Sequence, residues 1–337
     1  MNGMLSRRGF LRQSFVFSAL ASLGSLPTFA AGLEGKLNPA AKQLLILGDW
    51  GYEDFTAQGR VAGAMQRYVR EHGIKTDALL MLGDNWYGPL PGGAESERWK
   101  TQFEEMYPKS VFDCPAYAIF GNHDYQRMPE SKVDAELEYA KKAGTRWTLP
   151  SQWYRFEFPA KTPLVTVIAL DSNVPHPEGP QAKGVNFTLT AEQQAEQLAW
   201  LKSELEKPLR TPFLIVMGHH PIYSNGPHGD HKVLMADWEP VLRKHRVHMY
   251  LAGHDHDMQH LEFEGHPTSF VLSGGGGADL YTLKIEEAQR GPYASKVYGF
   301  SRLEVTPELL RLEHLDETGR VIHGFTKSPD GAVRILP

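Results

Sequence analysis

The 337-residue sequence predicts an α/β fold: two mixed β-sheets packed as a sandwich and flanked by helices. Three observations lead there. Short apolar runs recur along the chain as buried strands do, and they outnumber the helices that simple strand–helix–strand crossovers need. The stretch after Gly299 carries strand patterns joined by turns, with no helix between them, which reads as antiparallel. Several apolar runs also stop at Gly followed by Asp, Asn or His, where a buried strand would leave its sheet.

Taken in order, Leu44–Leu47 is a continuous apolar run and reads as a doubly buried strand. Thr56–His72 places Val61, Met65, Tyr68 and Val69 at helical spacing, and Gly73 suits the helix end. Ala78–Leu82 is a strand, and Glu95–Met106 a helix with Trp99, Phe103 and Met106 on one face. Tyr117–Phe120 is a strand and Val133–Ala143 a helix stopped by Gly144. Trp153–Phe158 alternates and predicts a more exposed strand, and Leu164–Leu170 is a buried one. Residues 172–188 are rich in Pro, Gly and Asn and read as a loop. Ala191–Lys207 opens with Thr190 and Gln193 in a capping-box relation. Phe213–Met217, Val247–Leu251 and Phe270–Leu272 follow as strands, then Gly299–Val305, Leu309–Leu315 and Val321–Phe325.

Composition narrows the function classes. The chain is 41% hydrophobic and 22% charged, enough apolar material for a large core. With a formal charge of −5 a strongly basic field is absent, so electrostatic binding of nucleic acid is not expected. The single cysteine, Cys114, excludes an intramolecular disulfide and reads as a small buried side chain before Pro115.

The first 30 residues predict an export signal rather than part of the fold. Ser6-Arg7-Arg8-Gly9-Phe10-Leu11-Arg12 is a twin-arginine pattern, Phe15–Leu26 is a short apolar stretch, and Thr28-Phe29-Ala30 resembles a cleavage site. The apolar stretch is too short to span a bilayer, and no other approaches that length. Its removal takes the formal charge from −5 to −8. The expectation is a periplasmic or secreted protein, carried folded by the twin-arginine machinery, with a cofactor already loaded. The ligand-type motifs run from Asp49 to His256, and a boundary between them would split one site, so residues 31–337 read as a single domain with its core at about 41–330.

The motifs are LLILGDW (44–50), LLMLGDNWY (79–87), YAIFGNHD (117–124), LIVMGHH (214–220) and MYLAGHDH (249–256). Taken singly, Gly-Asp or Asn-His-Asp is an ordinary turn. His219-His220 beside a Gly is more pointed, and His254-Asp255-His256 more so, because an H-x-H at a strand exit aims two imidazoles the same way.

Together, in the order GD, GDN, GNH, GH and GHxH, the series resembles the calcineurin-like metallophosphoesterase superfamily. GDNWY resembles the GDNxY of purple acid phosphatases, especially the small tartrate-resistant type. The similarity extends through GHHPIYS, the GPHGDH loop and VLSGGGG at 271–277, so it spans nearly the whole mature chain. It implies a four-layer α/β/β/α fold and a dinuclear centre of Fe(III) with a divalent Fe, Zn or Mn. One metal would be held by Asp49, Asp84, Tyr87 and His256, the other by Asp84, Asn122, His219 and His254, with Asp84 bridging. Phenolate and carboxylate are hard anionic donors that suit a ferric ion, and tyrosinate-to-iron charge transfer would colour the protein.

The implied activity is hydrolysis of phosphate monoesters, of small molecules or nucleotides, by in-line attack of a metal-bound hydroxide. His123 would stabilise the transferring phosphoryl group or protonate the leaving oxygen, with Asp124 either orienting it or serving the turn. His220 would either touch the groups around the ligands or fill space, and His228 would either contact substrate or be a solvated loop histidine. The tract 172–188 matches a loop that is flexible and inhibitory in the animal enzymes. The alternatives are a phosphodiesterase of the same superfamily and a non-catalytic metal-binding or phosphate-sensing protein.

Overall fold

The strands, in chain order, are β1 (Lys42–Leu47), β2 (Ala78–Met81), β3 (Ala116–Ala118), β4 (Trp147–Thr148), β5 (Tyr154–Phe158), β6 (Val165–Ala169), β7 (Phe213–Met217), β8 (Met249–Ala252), β9 (Met258–Leu261), β10 (Ser269–Ser273), β11 (Tyr293–Ser295), β12 (Gly299–Val305), β13 (Leu310–Asp316), β14 (Val321–Lys327) and β15 (Val333–Ile335). The helices are α1 (Thr56–Glu71), α2 (Asn122–Tyr125), α3 (Lys132–Tyr139), α4 (Ala191–Glu206), α5 (Lys232–Asp237) and α6 (Glu239–Lys244). This computed structural model describes residues 38, 40–126, 131–174, 188–284 and 290–337. The export signal read at residues 1–30 and most of the tract 172–188 lie outside the described residues.

An eight-stranded sheet runs β15-β14-β13-β12-β1-β2-β3-β4 and a seven-stranded sheet runs β11-β9-β10-β8-β7-β6-β5. Both are mixed. β1 to β4 are parallel and β12 joins β1 antiparallel. β6, β7, β8 and β10 are parallel, with β5 and β9 antiparallel at their flanks. The expected pair of mixed sheets is therefore present.

Strand alternation separates two apolar layers. In β7, Phe213, Ile215 and Met217 join a core with Leu44, Leu79, Leu251, Phe300 and Leu312 from both sheets. Leu214 and Val216 point the other way, to Leu201 and Leu205 of α4 and Leu242 of α6. A strand covered on both faces carries no polar alternation, which is why β7 reads FLIVM. α4 has the expected capping box, with Gln193 N–H donating to Thr190 Oγ1 at 3.2 Å and Thr190 N–H to Gln193 Oε1 at 2.9 Å.

The expected helix at 95–106 takes a different form. Gly93–Glu95 is a 3₁₀ turn and Trp99–Glu104 a π-type turn, in which Glu105 N–H reaches Lys100 O at 2.9 Å. Trp99 and Phe103 still pack inward, and Gln102 donates to Tyr52 O at 2.7 Å. The widened turn thus serves side chains that tie this segment to the loop after β1. Four strands, β4, β9, β11 and β15, have no counterpart in the hydrophobic pattern. They are short, and β9 reads MQHL, so nothing in period or run length marks them.

Candidate metal centre

A parallel strand delivers its following loop to the rim at its C-terminal end, and the sandwich uses this twice. β1, β2 and β3 lead into Asp49, Asp84 and Asn122, and β7 and β8 lead into His219 and His254. Asp84, His219 and His254 bring one ligand-type atom each within 4.8 Å of one another, and so do Asp49, Asp84 and His256. Asp84 belongs to both groups.

The convergence demands uncommon backbone. Asp49, Asp84 and His254 lie at φ 60°, 49° and 71°, in the left-handed region that side chains other than Gly avoid. Among the described residues, Arg246 is the one other such non-glycine residue. Three strained positions on one rim are characteristic of a site whose surroundings hold it in place. Close approach adds a second demand. A Cβ on Gly121 would sit 2.2 Å from Asp84 Oδ1, and one on Gly274 would sit 2.1 Å from Asp255 O and 2.9 Å from Asp49 Oδ2. Gly274, the first of the glycine run at 274–277, therefore lets the backbone pass beside the Asp49 carboxylate, as Gly121 does beside that of Asp84.

Tyr87 is buried, and its Oη lies 2.9 Å from His256 Nε2 and 3.2 Å from Asp49 Oδ1. Asn122 Oδ1 lies 3.2 Å from His219 Nε2, which is also 3.3 Å from His254 Nδ1 and 3.4 Å from Asp84 Oδ2. Two outer contacts fix which nitrogens face inward. His219 Nδ1–H donates to Leu82 O at 2.9 Å and His256 Nδ1–H to Asp279 O at 2.6 Å, which turns both Nε2 atoms into the site.

The donor set fits metal ions. Tyr87 has one proton for two acceptors, and the Nε2 of His219 meets Asn122 Oδ1, His254 Nδ1 and Asp84 Oδ2, all acceptors in their inward-facing forms. Among the described residues no Lys or Arg pairs with Asp49 or Asp84, although both are fully buried. Burying carboxylates without a counter-charge is costly. The protonation equilibria express the same deficit. Burial opposes charge on Asp84, yet His219 and His123 hold its carboxyl below the usual range. Burial, opposed by His219 but joined by the Asp84 carboxylate, pushes Asp49 up. Burial is the largest single influence and works against a charged His219, but Asp84, Asp49 and the Leu82 carbonyl together outweigh it and push the imidazole up to about 9. Burial and the two carboxylates push Tyr87 up as well. A proton on His219 is thus the counter-charge these groups draw in from among themselves.

The remaining expected residues divide. His123 lies beside the site, its ring 4.1 Å from that of Tyr87, its Nδ1 3.0 Å from Gln126 Oε1 and its N–H donating to Asp84 Oδ1 at 2.7 Å. Burial lowers its pKa. His220 packs against His254 and His231, and its Nδ1 meets Ser172 Oγ at 2.9 Å. His228 lies over His254 with ring centroids 4.2 Å apart. His231 caps α5, its side chain accepting from Leu234 N–H.

Asp124 does not orient His123. Its carboxylate accepts from Gly121 N–H at 2.8 Å, Asn85 N–H at 3.2 Å and Trp86 N–H at 2.9 Å, and so braces the GDN loop. Asn85 also serves that loop, taking Trp50 Nε1–H at 3.1 Å and donating to Glu136 Oε2 at 2.9 Å. Trp50 and Trp86 belong to an aromatic core with Trp99, Trp147 and Phe103. Asp171 binds Tyr125 and Asn173 at the strand end. Cys114 is buried, which pushes its thiol up to about 12.

Several supporting residues carry no sequence signal. Arg98 donates to Tyr87 O, Pro89 O and Gly51 O at 2.7, 2.7 and 2.8 Å, and Lys132 Nζ to Trp86 O at 2.8 Å. Tyr281 stacks on His256 at 4.0 Å between ring centroids. Arg98, Lys132 and Tyr281 match no motif, and only the glycine run before Asp279 hints that the segment of Tyr281 approaches the site.

Residues 42–258 match the Calcineurin-like phosphoesterase family. The chain belongs to that family. This phosphoesterase is 27% identical over 301 residues to tartrate-resistant acid phosphatase type 5 of Mus musculus, covering 82% of this chain and 88% of the relative. It is 28% identical over 336 residues to purple acid phosphatase 7 of Arabidopsis thaliana, covering 96% of each. Among solved structures, purple acid phosphatase PPD1 from yellow lupin seeds shares the fold with a TM-score of 0.65 at 18% identity, covering 86% of this chain and 54% of that one. GAP50, the anchor in the inner membrane complex of Plasmodium, does so with a TM-score of 0.71 at 22% identity, covering 84% and 87%. The phosphoesterase is thus of the purple acid phosphatase kind, with two candidate ligand clusters joined at Asp84. No helix among its described residues is long and apolar enough to cross a membrane.

Proposed function

We propose that this phosphoesterase is an exported acid phosphatase that hydrolyses phosphate monoesters of small molecules or nucleotides at a dinuclear centre. The observation that carries the reading is one carboxylate, Asp84, common to two ligand clusters of unequal character. Asp49, Asp84, Tyr87 and His256 form the harder, more anionic set and would hold Fe(III). Asp84, Asn122, His219 and His254 form the set richer in neutral donors and would hold a divalent Fe, Zn or Mn. When bound, such a pair polarises the phosphoryl oxygens and makes a water acidic enough to attack.

The protein's own groups do the rest. His219 and His256 are fixed by their bonds to Leu82 O and Asp279 O, so no reorganisation is needed when the donors engage. His123 is held by Gln126 through Nδ1, which leaves Nε2 to meet a phosphoryl or leaving-group oxygen. The bracing of 84–88 by Asp124, Arg98 and Lys132 keeps Tyr87 and Asp84 in register. Export by the twin-arginine route to the periplasm or beyond belongs to this reading, on the ground of Ser6–Arg12. So does the single domain over 31–337.

The test compares an aryl phosphate with its bis-aryl diester on the metal-loaded protein. The expected result is a kcat/KM at least about tenfold higher for the monoester, which is about 1.4 kcal/mol of barrier. A clear preference for the diester overturns the assignment, and no hydrolysis of either ester with two metals bound supports a binding protein instead.

A further inference from the structure

We propose that the buried carboxylate of Asp255 is a positioning residue that aims His228 at the phosphoryl group. The inference rests on the phosphate-binding reading of the site.

Asp255 lies between two candidate ligands in sequence but turns away from them in space. Its side chain is fully buried, while that of His228 is 44% exposed. Asp255 Oδ1 meets His228 Nδ1 at 2.6 Å and the His228 backbone N–H at 3.4 Å. Asp255 Oδ2 accepts from Ser224 Oγ, which in turn accepts from Gly226 N–H at 2.8 Å and Gln259 Nε2 at 3.1 Å. Both carboxylate oxygens are thus committed to the segment that carries His228. Gly226 permits this, since a Cβ there would lie 2.3 Å from Asp255 Cγ.

An acceptor on one ring nitrogen decides the tautomer and orientation of an imidazole, and so which nitrogen is left for chemistry. With Nδ1 on Asp255, His228 presents Nε2. Its ring lies 4.2 Å from that of His254 and 5.4 Å from that of Tyr281, over the proposed centre. An exposed histidine on a loop would otherwise sample several rotamers, and each wrong one would remove a contact to substrate. A bound phosphate would therefore meet a ring already in place.

The test uses the metal-loaded full chain and the variants Asp255→Asn, Asp255→Glu, His228→Ala and Asp255→Asn/His228→Ala. Metals per chain, kcat/KM for an aryl phosphate and the Kd of inorganic phosphate by calorimetry are measured for each. The expected result is two metals in every variant, a loss of about 100-fold in kcat/KM and about tenfold in phosphate affinity for Asp255→Asn and for His228→Ala, and no further loss in the double variant. Asp255→Glu regains part of the affinity. Wild-type values in Asp255→Asn, losses in the double variant that multiply those of the single ones, or loss of metal in Asp255→Asn would each overturn the proposal. If the wild type binds phosphate but turns over no monoester, the phosphatase reading falls, and the phosphate affinities still decide the role of Asp255.

Discussion

Asp84→Ala is expected to release both metal ions and to lower kcat/KM for an aryl phosphate by about 10⁴-fold, roughly 5 kcal/mol of barrier. The size follows from sharing. Asp84 is the residue common to both clusters, so its removal takes an anionic donor from each. Nothing nearby can replace it. Asp49 serves one cluster only, and Asp124 is already committed to the N–H groups of Gly121, Asn85 and Trp86. The fold should survive. Burial and the Asp84 charge together push Asp49 up, so deleting Asp84 relieves a repulsion in the metal-free state. The backbone at φ 49° costs Ala about 1 kcal/mol, a small part of a domain's stability. Metal analysis of the purified variant, with a thermal melt to confirm folding, checks the prediction. Two metals per chain in Asp84→Ala would refute the bridging role.

Tyr87→Phe should abolish any visible absorption band while both metals stay bound. The phenol oxygen of Tyr87 lies 2.9 Å from His256 Nε2 and 3.2 Å from Asp49 Oδ1, which puts it in the harder cluster alone. The ring itself fits Phe, because its packing against Tyr52 and His123 involves the faces and edges rather than the hydroxyl. Asp49, Asp84 and His256 remain as donors, so the metal count should stay at two per chain, with affinity on that side weaker by about 10–100-fold. Tyrosinate-to-iron charge transfer has no other proposed source. The visible spectrum of Tyr87→Phe beside the wild type, at equal metal content, checks this. An unchanged band would remove Tyr87 from the iron.

The sequence made the frame of the site legible because parallel strands buried on both faces have a plain signature. FLIVM before Gly218 and MYLA before Gly253 announce strands, and the Gly after each announces the exit. Once several exits carry Asp, Asn or His, their convergence follows from the topology of parallel strands. Tyr87 was legible because GDNWY sits at such an exit. What stayed hidden depends on tertiary contact. Asp124 sits next to His123 in sequence, and adjacency alone leaves open whether it orients that ring or serves the turn. In space its carboxylate faces the backbone N–H groups of Asn85 and Trp86 in the GDN loop and that of Gly121, and Gln126 holds His123 instead. Arg98, Lys132 and Tyr281 act through carbonyls and ring faces, which leave no pattern in a single sequence. The short strands β4, β9, β11 and β15 owe their conformation to neighbours already paired, so neither period nor run length marks them. The π-type turn at 99–104 was hidden for a related reason, since α- and π-type spacing place Trp99 and Phe103 on nearly the same face.

Two metal ions joined through Asp84 are proposed to support phosphomonoester hydrolysis. The most direct measurement is a titration of the chelator-stripped full chain with iron and a divalent metal, followed by aryl phosphate hydrolysis. The expected result is no turnover without metal and a rise that levels off at about two equivalents per chain. Full activity in the stripped protein, or a plateau at one equivalent, would contradict it.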